Sequence, residues 1–514
     1  MPSERASSSR SAKSHRKRNI IFIHPDLGIG GAERLILDAA LALQSRGHRV
    51  TIYTSHRDPM HCFEEARDGT LDVRVGGNTV FPAHVGGRLH VLMAVLRQLH
   101  LVMGLVLERR RKREVGGAGR TNGDQMIAEE DDAEDDVFIV DQVPACVPLL
   151  RLFGSEVLRG SRRRGRDRIL FYCHFPDQLL ARRDEGGRVI RLVKGLYRWP
   201  FDWFEGWAMS AADKVVANSR FTSRVVREVF GERLRDVKVL YPCVDTSQKA
   251  LKIGDGQTSS SEEPLWGGLK VILSINRFER KKNIELAIRA YHGLGKQHRR
   301  GTRLVIAGKR GYDNRVQENV QYHRELDSLA TNLGLETATS KTVVSALSIP
   351  ASINVLFLLS VPSAFKQTLL SSSTLLLYTP SHEHFGIVPV EAMHAGLPLL
   401  AVNTGGPLET ILDGKTGWLR DASSVEEWSR VIKQVLWDMN SEQLEEMGKM
   451  GQERVEKNFS LSAMGDRLEE EIDEMVSSAR PTFVRVHQVI LWVAIAGLAV
   501  SFLIRIGLGF SVER

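Results

Sequence analysis

Cysteine is scarce in this chain, with four residues among 514 and none of them in a C-x-x-C pair. This spacing predicts neither a zinc site nor a disulfide framework, so we expect the folded body to face a reducing compartment. At roughly 100–200 residues per domain, the length gives room for two or three domains with full-sized cores. The four cysteines are Cys62, Cys146, Cys173 and Cys243.

An export signal is also lacking. Residues 1–18 form a basic tail without an apolar run, and the first hydrophobic stretch, Ile20 to Ile23, is too short for a signal-peptide core. Long apolar runs are rare, but 484–510 approaches the roughly 20 residues that cross a bilayer and predicts a C-terminal membrane anchor. The alternative, a buried core helix, suits a segment that is apolar on all faces less well.

Two further segments have unusual composition. The apolar stretch 89–107 runs into a basic cluster that ends at Arg113, which predicts either a helix in the membrane interface or an amphipathic core helix. Residues 116–136 are rich in glycine and acidic side chains, which predicts a disordered insertion. The net charge of +8 suits an anionic surface, but no nucleic-acid module is recognisable, so no nucleic-acid partner is expected.

Alternating strands and helices predict two doubly wound α/β domains. A Rossmann-like domain over 19–245 is followed by a linker at 246–268 and a second Rossmann-like domain over 269–480, which ends in acidic helices. Ligands of such sheets bind beyond the carboxyl ends of the strands, so we expect a cleft between the two domains. The predicted strands are 19–24, 49–54, 137–140, 169–173, 214–218, 237–241, 271–275, 303–307, 375–379 and 399–402.

The first loop of the first domain contains Gly28, Gly30 and Gly31 at the start of a helix, where backbone N–H groups can approach an anion. Alone this is a weak indication, because tight strand-to-helix turns use glycine for geometry. A dinucleotide fingerprint would need a third glycine in its pattern and an acid after the second strand, and Thr51 to His56 holds no carboxylate. A dehydrogenase is therefore disfavoured.

A loop of the second domain places Arg277 just past a strand and Lys282 five positions later, at the predicted start of a helix. Two cations that converge there suit a diphosphate, which arginine binds through its fork and lysine as a point charge. Solvated basic loop residues are the alternative.

A second loop, after the strand at 375–379, contains Glu383 and Gly386, and then Pro389 and Glu391 in the predicted first turn of a helix. The N–H groups at that helix start favour a phosphate, while the carboxylates can accept hydrogen bonds from sugar or ribose hydroxyls. Taken together, these residues predict a nucleotide-sugar pocket.

These motifs resemble those of retaining GT-B glycosyltransferases. Glu383 and Glu391, with seven residues between them, match the E-x7-E element of that family, and Arg277 with Lys282 match its diphosphate-binding pair. Three segments also look like the mannosyltransferases of dolichol-linked oligosaccharide assembly at the endoplasmic reticulum: 28–34, 171–177 and 384–393.

The resemblance implies a GT-B fold, GDP-mannose as the donor and a mannosylated chitobiosyl diphosphodolichol as the acceptor. It implies that both an α-1,3 and an α-1,6 mannose are added with retention on the cytosolic face of the endoplasmic reticulum membrane, without a metal or another cofactor. Other dolichol-pathway transferases are candidate protein partners.

The resemblance also implies residue roles. The diphosphate is held by Arg277 and Lys282, ribose hydroxyls by Glu391 and mannose hydroxyls by Glu383. His174 matches a histidine that faces the transferring sugar, although its spacing alone suits a structural loop histidine equally. We expect Lys282, Arg277, Glu383 and His174 to be catalytic, mainly through stabilisation of the leaving diphosphate. The resemblance places Gly386, Ile387 and Val388 near the donor phosphates. It places Gly30 and Gly31 near these phosphates or near the acceptor.

Residues 336–374 depart from the compact family pattern and are expected to interrupt the guanine-recognition region around Asn354 to Ser360. Translated intron is one explanation, which transcript sequencing would test. Two alternative functions stay open at this point: a related transferase that uses UDP-N-acetylglucosamine, and a non-catalytic membrane-tethered scaffold.

Overall fold

A computed structural model describes residues 17–84, 89–118, 136–151, 167–180, 188–246, 265–309 and 317–480. Most of the predicted basic tail, disordered insertion and linker lies outside the described residues, as does the whole predicted anchor at 484–510. The chain divides into two compact units, one of 1–172, 183–215 and 471–514 and the other of 173–182 and 216–470.

The first sheet has seven strands in the order β3-β2-β1-β4-β5-β6-β7. The pairs from β3 to β5 are parallel, and the chain order reverses between β1 and β4. Its near-continuous apolar strands are typical of parallel sheets covered on both faces. The strands are β1 (Asn19–His24), β2 (Arg49–Thr54), β3 (Asp72–Val75), β4 (Asp136–Asp141), β5 (Arg168–Cys173), β6 (Lys214–Ala217) and β7 (Val237–Val239).

Helices connect these strands. The first begins directly after the glycine turn and buries an apolar face that includes Leu35, Ile36 and Leu43. The next contains the apolar stretch His90–Arg109, which by length and composition is able to cross a membrane. The helices are α1 (Gly31–Ser45), α2 (His90–Ala118), α3 (Asp177–Leu180), α4 (Arg188–Met209) and α5 (Arg220–Phe230).

Helix α2 packs one face into the first unit. Leu101, Val102 and Leu105 are buried, and the amide of Gln98 both donates to the carbonyl of Val143 at 2.6 Å and accepts from the backbone N–H of Cys146. Such contacts support the core-helix interpretation for this face. An interfacial position for the outer face stays a prediction.

The second sheet also has seven strands, in the order β10-β11-β9-β8-β12-β13-β14, and every neighbouring pair is parallel. All four strands predicted for this domain are confirmed within two residues. The strands are β8 (Lys270–Ile275), β9 (Thr302–Lys309), β10 (Thr337–Ser340), β11 (Val355–Val361), β12 (Leu375–Tyr378), β13 (Leu399–Val402) and β14 (Trp418–Arg420).

Residues 336–374 are part of this sheet and do not interrupt it. They form β10 and β11, and Val355 to Phe357 of β11 are completely buried between the neighbouring strands. The predicted interruption of a guanine-recognition region around Asn354 to Ser360 stays a prediction, and most of that region lies in β11. The helices that follow β8 in the chain are α6 (Ile284–His292), α7 (Gly295–Arg299), α8 (Gln317–Asn332), α9 (Val343–Leu347), α10 (Ser363–Ser372), α11 (Ile387–His394), α12 (Pro407–Thr410), α13 (Val425–Lys433), α14 (Ser441–Phe459) and α15 (Leu461–Ser477).

Candidate functional site

The candidate site lies where the chain order of the second sheet reverses. There β8 pairs with β12, so the loops that leave their carboxyl ends start side by side. This is the position at which open α/β sheets bind ligands. Four predicted site residues lie in these two loops: Arg277, Lys282, Glu383 and Gly386.

An ion pair joins the two loops. The ammonium of Lys282 donates to the carboxylate of Glu383 at 2.5 Å, and only 13% and 27% of the two side chains are exposed. The hydroxyl of Thr379 donates to the carbonyl of Lys282 at 2.7 Å and fixes that end of its loop. Burial opposes ionisation of Glu383, but the attraction and hydrogen bond of Lys282 outweigh it and lower the pKa of this carboxyl. The pair therefore holds a cation and an ionised carboxylate together at the strand ends.

Arg277 lies in the same loop as Lys282 but contacts a different carboxylate. Its guanidinium pairs with Glu279 at 2.9 Å, and Lys281 pairs with the other oxygen of the same carboxylate at 3.1 Å. The Arg277 side chain is 56% exposed, so most of its fork faces solvent. Its convergence with Lys282 on one diphosphate stays a prediction.

Gly386 precedes α11 in the left-handed conformation, with φ of 81°. A Cβ at this position would lie 2.9 Å from the hydroxyl of Tyr378, so both the backbone and the space require glycine. Helix α11 begins at Ile387, which puts Pro389 at the third helical position and Glu391 beyond the first turn. The predicted positions of these two residues were therefore wrong, because Gly386 and Ile387 start the helix earlier.

Glu391 is paired with a residue that the sequence did not indicate. Lys366 of α10 donates to its carboxylate at 2.7 Å, and about a fifth of each side chain is exposed. Lys366 belongs to the segment 336–374, which departs from the family pattern, and its pairing with Glu391 was missed for that reason. The predicted contact of Glu391 with ribose stays a prediction, and in this structure the carboxylate is already oriented by a cation.

Aromatic rings surround His384, the neighbour of Glu383. The ring of Phe175 stacks on its imidazole at 3.8 Å with an angle of 6°, and that of Phe221 lies at 6.5 Å. Burial lowers the pKa of His384 to about 4, so the imidazole is neutral at pH 7. His174 directly precedes Phe175, so this stacking places its loop beside the loop of Glu383.

Gly30 and Gly31 belong to the first unit, whereas the other predicted site residues, including His174, belong to the second. Gly30 precedes α1 with extended backbone, and Glu33 lies in the first turn of that helix. A Cβ on Gly30 would meet the Glu33 carboxylate at 2.1 Å, while Gly31 has open space around it. The expected role of these glycines near phosphate or acceptor stays a prediction.

No group of three or more potential metal-binding side chains lies together among the residues that the structure describes. All four cysteines are buried, and no disulfide joins them. The predicted independence from metal and cofactor stays a prediction.

Comparisons with known proteins agree with this geometry. Residues 149–248 match the family described as Glycosyltransferase Family 4, and residues 257–454 match the one described as Glycosyl transferases group 1. The chain is 47% identical to the alpha-1,3/1,6-mannosyltransferase of Neurospora crassa over 463 residues, which cover 89% of this chain and 91% of that protein. Its identity to the Saccharomyces cerevisiae protein of the same description is 42%, over 90% of this chain and 85% of that one.

Solved structures show a similar fold at low identity. The catalytic domain of starch synthase IV from Arabidopsis thaliana has a TM-score of 0.60 at 14% identity, with 90% of this chain and 100% of that chain covered. Sucrose-phosphate synthase from Thermosynechococcus elongatus has a TM-score of 0.57 at 17% identity, with the same coverage. The predicted GT-B fold of two Rossmann-like domains is confirmed.

Proposed function

The chain belongs to the alpha-1,3/1,6-mannosyltransferase family, and from this membership we propose that it transfers mannose from GDP-mannose to a dolichol-diphosphate-linked oligosaccharide. Both an α-1,3 and an α-1,6 linkage are formed, as a step in assembly of the N-glycan precursor. The structural observation that supports the proposal most directly is the ion pair of Lys282 and Glu383 at the switch point of the second sheet. A cation and an ionised carboxylate there suit a diphosphate and sugar hydroxyls, respectively.

In the proposed mechanism, the chain stabilises the charge that develops on the leaving diphosphate. The ammonium of Lys282, the exposed guanidinium of Arg277 and the N-terminus of α11 supply this stabilisation. Glu383 accepts hydrogen bonds from mannose hydroxyls, and Glu391, oriented by Lys366, accepts them from ribose. The transfer needs no metal, so we expect the rate to persist after treatment with a chelator.

Binding of sugar nucleotides tests the donor assignment. A ligand that binds only the folded protein stabilises it by about 2.7 kcal/mol at 100 times its Kd. We expect GDP-mannose to raise the melting temperature of the purified protein and UDP-N-acetylglucosamine to leave it unchanged. A shift with the second nucleotide alone would favour the alternative donor, and none with either would favour the scaffold.

The enzyme is associated with the endoplasmic reticulum, and we propose that its body faces the cytosol. An apolar segment at 484–510 of suitable length supports an anchor there. Deletion of these residues should weaken membrane attachment, whereas a full chain that is entirely soluble after a salt wash would contradict the anchor. Attachment that survives the deletion would point to α2.

A further inference from the structure

Glu409 connects α12 to the start of α5. Its two carboxylate oxygens accept hydrogen bonds from the backbone N–H groups of Arg220 and Phe221, both at 2.7 Å. One of them also accepts from the hydroxyl of Tyr241 at 3.0 Å. Hydrogen bonds to an ionised acceptor are shorter and about twice as strong as neutral ones. All four residues lie in the second unit, so this carboxylate fixes the first turn of α5 within that unit.

The backbone that leads into α12 packs directly behind the loop of Glu383. The N–H of Gly406 donates to the carbonyl of Glu383 at 2.8 Å. A Cβ on Gly405 would lie 2.6 Å from that carbonyl, and one on Gly406 would lie 2.0 Å from the carbonyl of Phe385. Because no side chain fits between these backbones, a shift of the chain before α12 would reach Glu383.

The start of α5 contacts the other side of the site. Phe221, whose N–H is held by Glu409, places its ring near the imidazole of His384. Asn218, just before the helix, donates to the carbonyl of His174 at 3.0 Å. Asn218 therefore contacts the loop of His174, and Phe221 in the first turn of α5 lies beside the loop of Glu383, although neither residue carries a predicted role.

Each end of this connection also has hydrogen bonds that do not involve the Glu409 carboxylate. Arg454 donates to the backbone carbonyls of Glu409 and Thr410 at 2.6 and 2.7 Å, which holds α12. Ser219 caps α5 by accepting from the N–H of Thr222 at 3.0 Å. We therefore expect that α5 and α12 both form without the carboxylate, but that the position of α5 relative to α12 is no longer fixed.

We propose that Glu409 is a positioning residue for sugar transfer. Its carboxylate fixes the start of α5 and thereby holds Phe221 and the loop of His174 in register with the loop of Glu383 and His384. This role rests on the proposed transfer reaction. Donor binding depends on other residues, Lys282 and Arg277 among them, so the effect belongs to turnover and not to donor affinity.

The expected signature is a split between kinetic constants. We expect Glu409→Ala to lower kcat at least fivefold. The KM for GDP-mannose, and the shift of the melting temperature that GDP-mannose causes, should each change less than twofold. Glu409→Gln keeps an oxygen acceptor and should recover part of the rate. Glu442→Ala, which removes an exposed acid from the first turn of α14, is the matched control and should leave kcat unchanged. Unchanged kcat in Glu409→Ala would overturn the proposal.

A double-mutant cycle separates positioning from a general structural role. If Glu409 acts through α5, Phe221→Ala combined with Glu409→Ala should be no slower than the slower single variant. If the rate loss of the double variant equals the product of the two single losses, the two residues act independently and the proposal is overturned. The cycle is measured with whichever sugar nucleotide the wild-type protein uses, so a wrong donor assignment and a wrong role for Glu409 are distinguishable.

Discussion

Helices α1 and α11 both follow a glycine, and their N-termini are built differently. Helix α1 follows Gly30 in extended conformation and has Glu33 in its first turn, whereas α11 follows left-handed Gly386 and has no acid in its first turn. A carboxylate at a helix start satisfies the positive end of the helix dipole, which leaves less attraction for a bound phosphate. Glycine at a helix start is therefore not sufficient evidence of a phosphate site.

The loop before α11 adds a second difference, because its Glu383 pairs with Lys282 of the neighbouring loop. At the start of α1, Glu33 forms no such ion pair with another residue that the structure describes. We therefore assign the donor diphosphate to the start of α11. The following changes test this assignment, from the largest expected effect to the smallest.

Removal of the Lys282 cation should have the largest effect. We expect Lys282→Ala to cut sugar transfer at least about tenfold, equivalent to ~1.4 kcal/mol of transition-state stabilisation, and Glu383→Gln to do likewise. Lys281→Ala is the matched control, since its ammonium is exposed and pairs with Glu279. Initial rates of mannose transfer measure the effect. Unchanged turnover in a folded Lys282→Ala protein would remove this residue from the site.

The two helix starts can be compared directly with one type of substitution. We expect Gly386→Ala to lower transfer about three- to tenfold, because left-handed backbone costs an alanine about 1–2 kcal/mol and Tyr378 occupies the space. Gly31 has open space around it and an ordinary helical position, so an alanine fits there. We expect the Kd of Gly31→Ala for GDP-mannose, derived from the shift of the melting temperature, to stay within twofold of the wild-type value. Equal loss of donor binding in both variants would contradict the assignment to α11.

Most strands with apolar runs could be predicted, but the apolar and buried β11 (Val355–Val361) was missed because residues 336–374 depart from the family pattern. Strands such as Asn19–His24 and Leu375–Tyr378 contain apolar runs, which are typical of a parallel sheet that is covered on both faces. β3 was missed because Asp72–Val75 is short and half-exposed, and β10 because Thr337–Ser340 contains no large apolar residue.

The site could be predicted only in part, for a different reason. Lys282 and Glu383 were identified from their positions after strands, but neither their ion pair nor the pairing of Lys366 with Glu391 follows from spacing. Glu409 was missed because its partners are two backbone N–H groups, which any sequence supplies. Tertiary contacts with backbone atoms leave no pattern in the residue types.

For His384 we expect an effect on stability in acid and not on sugar transfer. Burial lowers its folded pKa to about 4 from the ordinary value of 6.5, so between these values the unfolded chain binds a proton that the folded chain does not. Stability is therefore lost as the pH falls, by about 1.4 kcal/mol near pH 5.5. We expect His384→Phe, which preserves a ring against Phe175, to lose less free energy of unfolding than wild type between pH 7.5 and 5.5. An equal loss in both proteins would show that His384 is not buried as the structure has it.

The most direct test of the account asks whether a single donor site serves both linkages. The segment after β12 contains one E-x7-E element, Glu383 and Glu391, and the loop after β8 contains one pair of Arg277 and Lys282, which predicts one pocket for the donor. With purified protein, saturating GDP-mannose and a lipid acceptor that carries one mannose, Glu391→Ala should depress α-1,3 and α-1,6 transfer by the same factor. Loss of one linkage with full retention of the other would contradict a shared pocket at the start of α11.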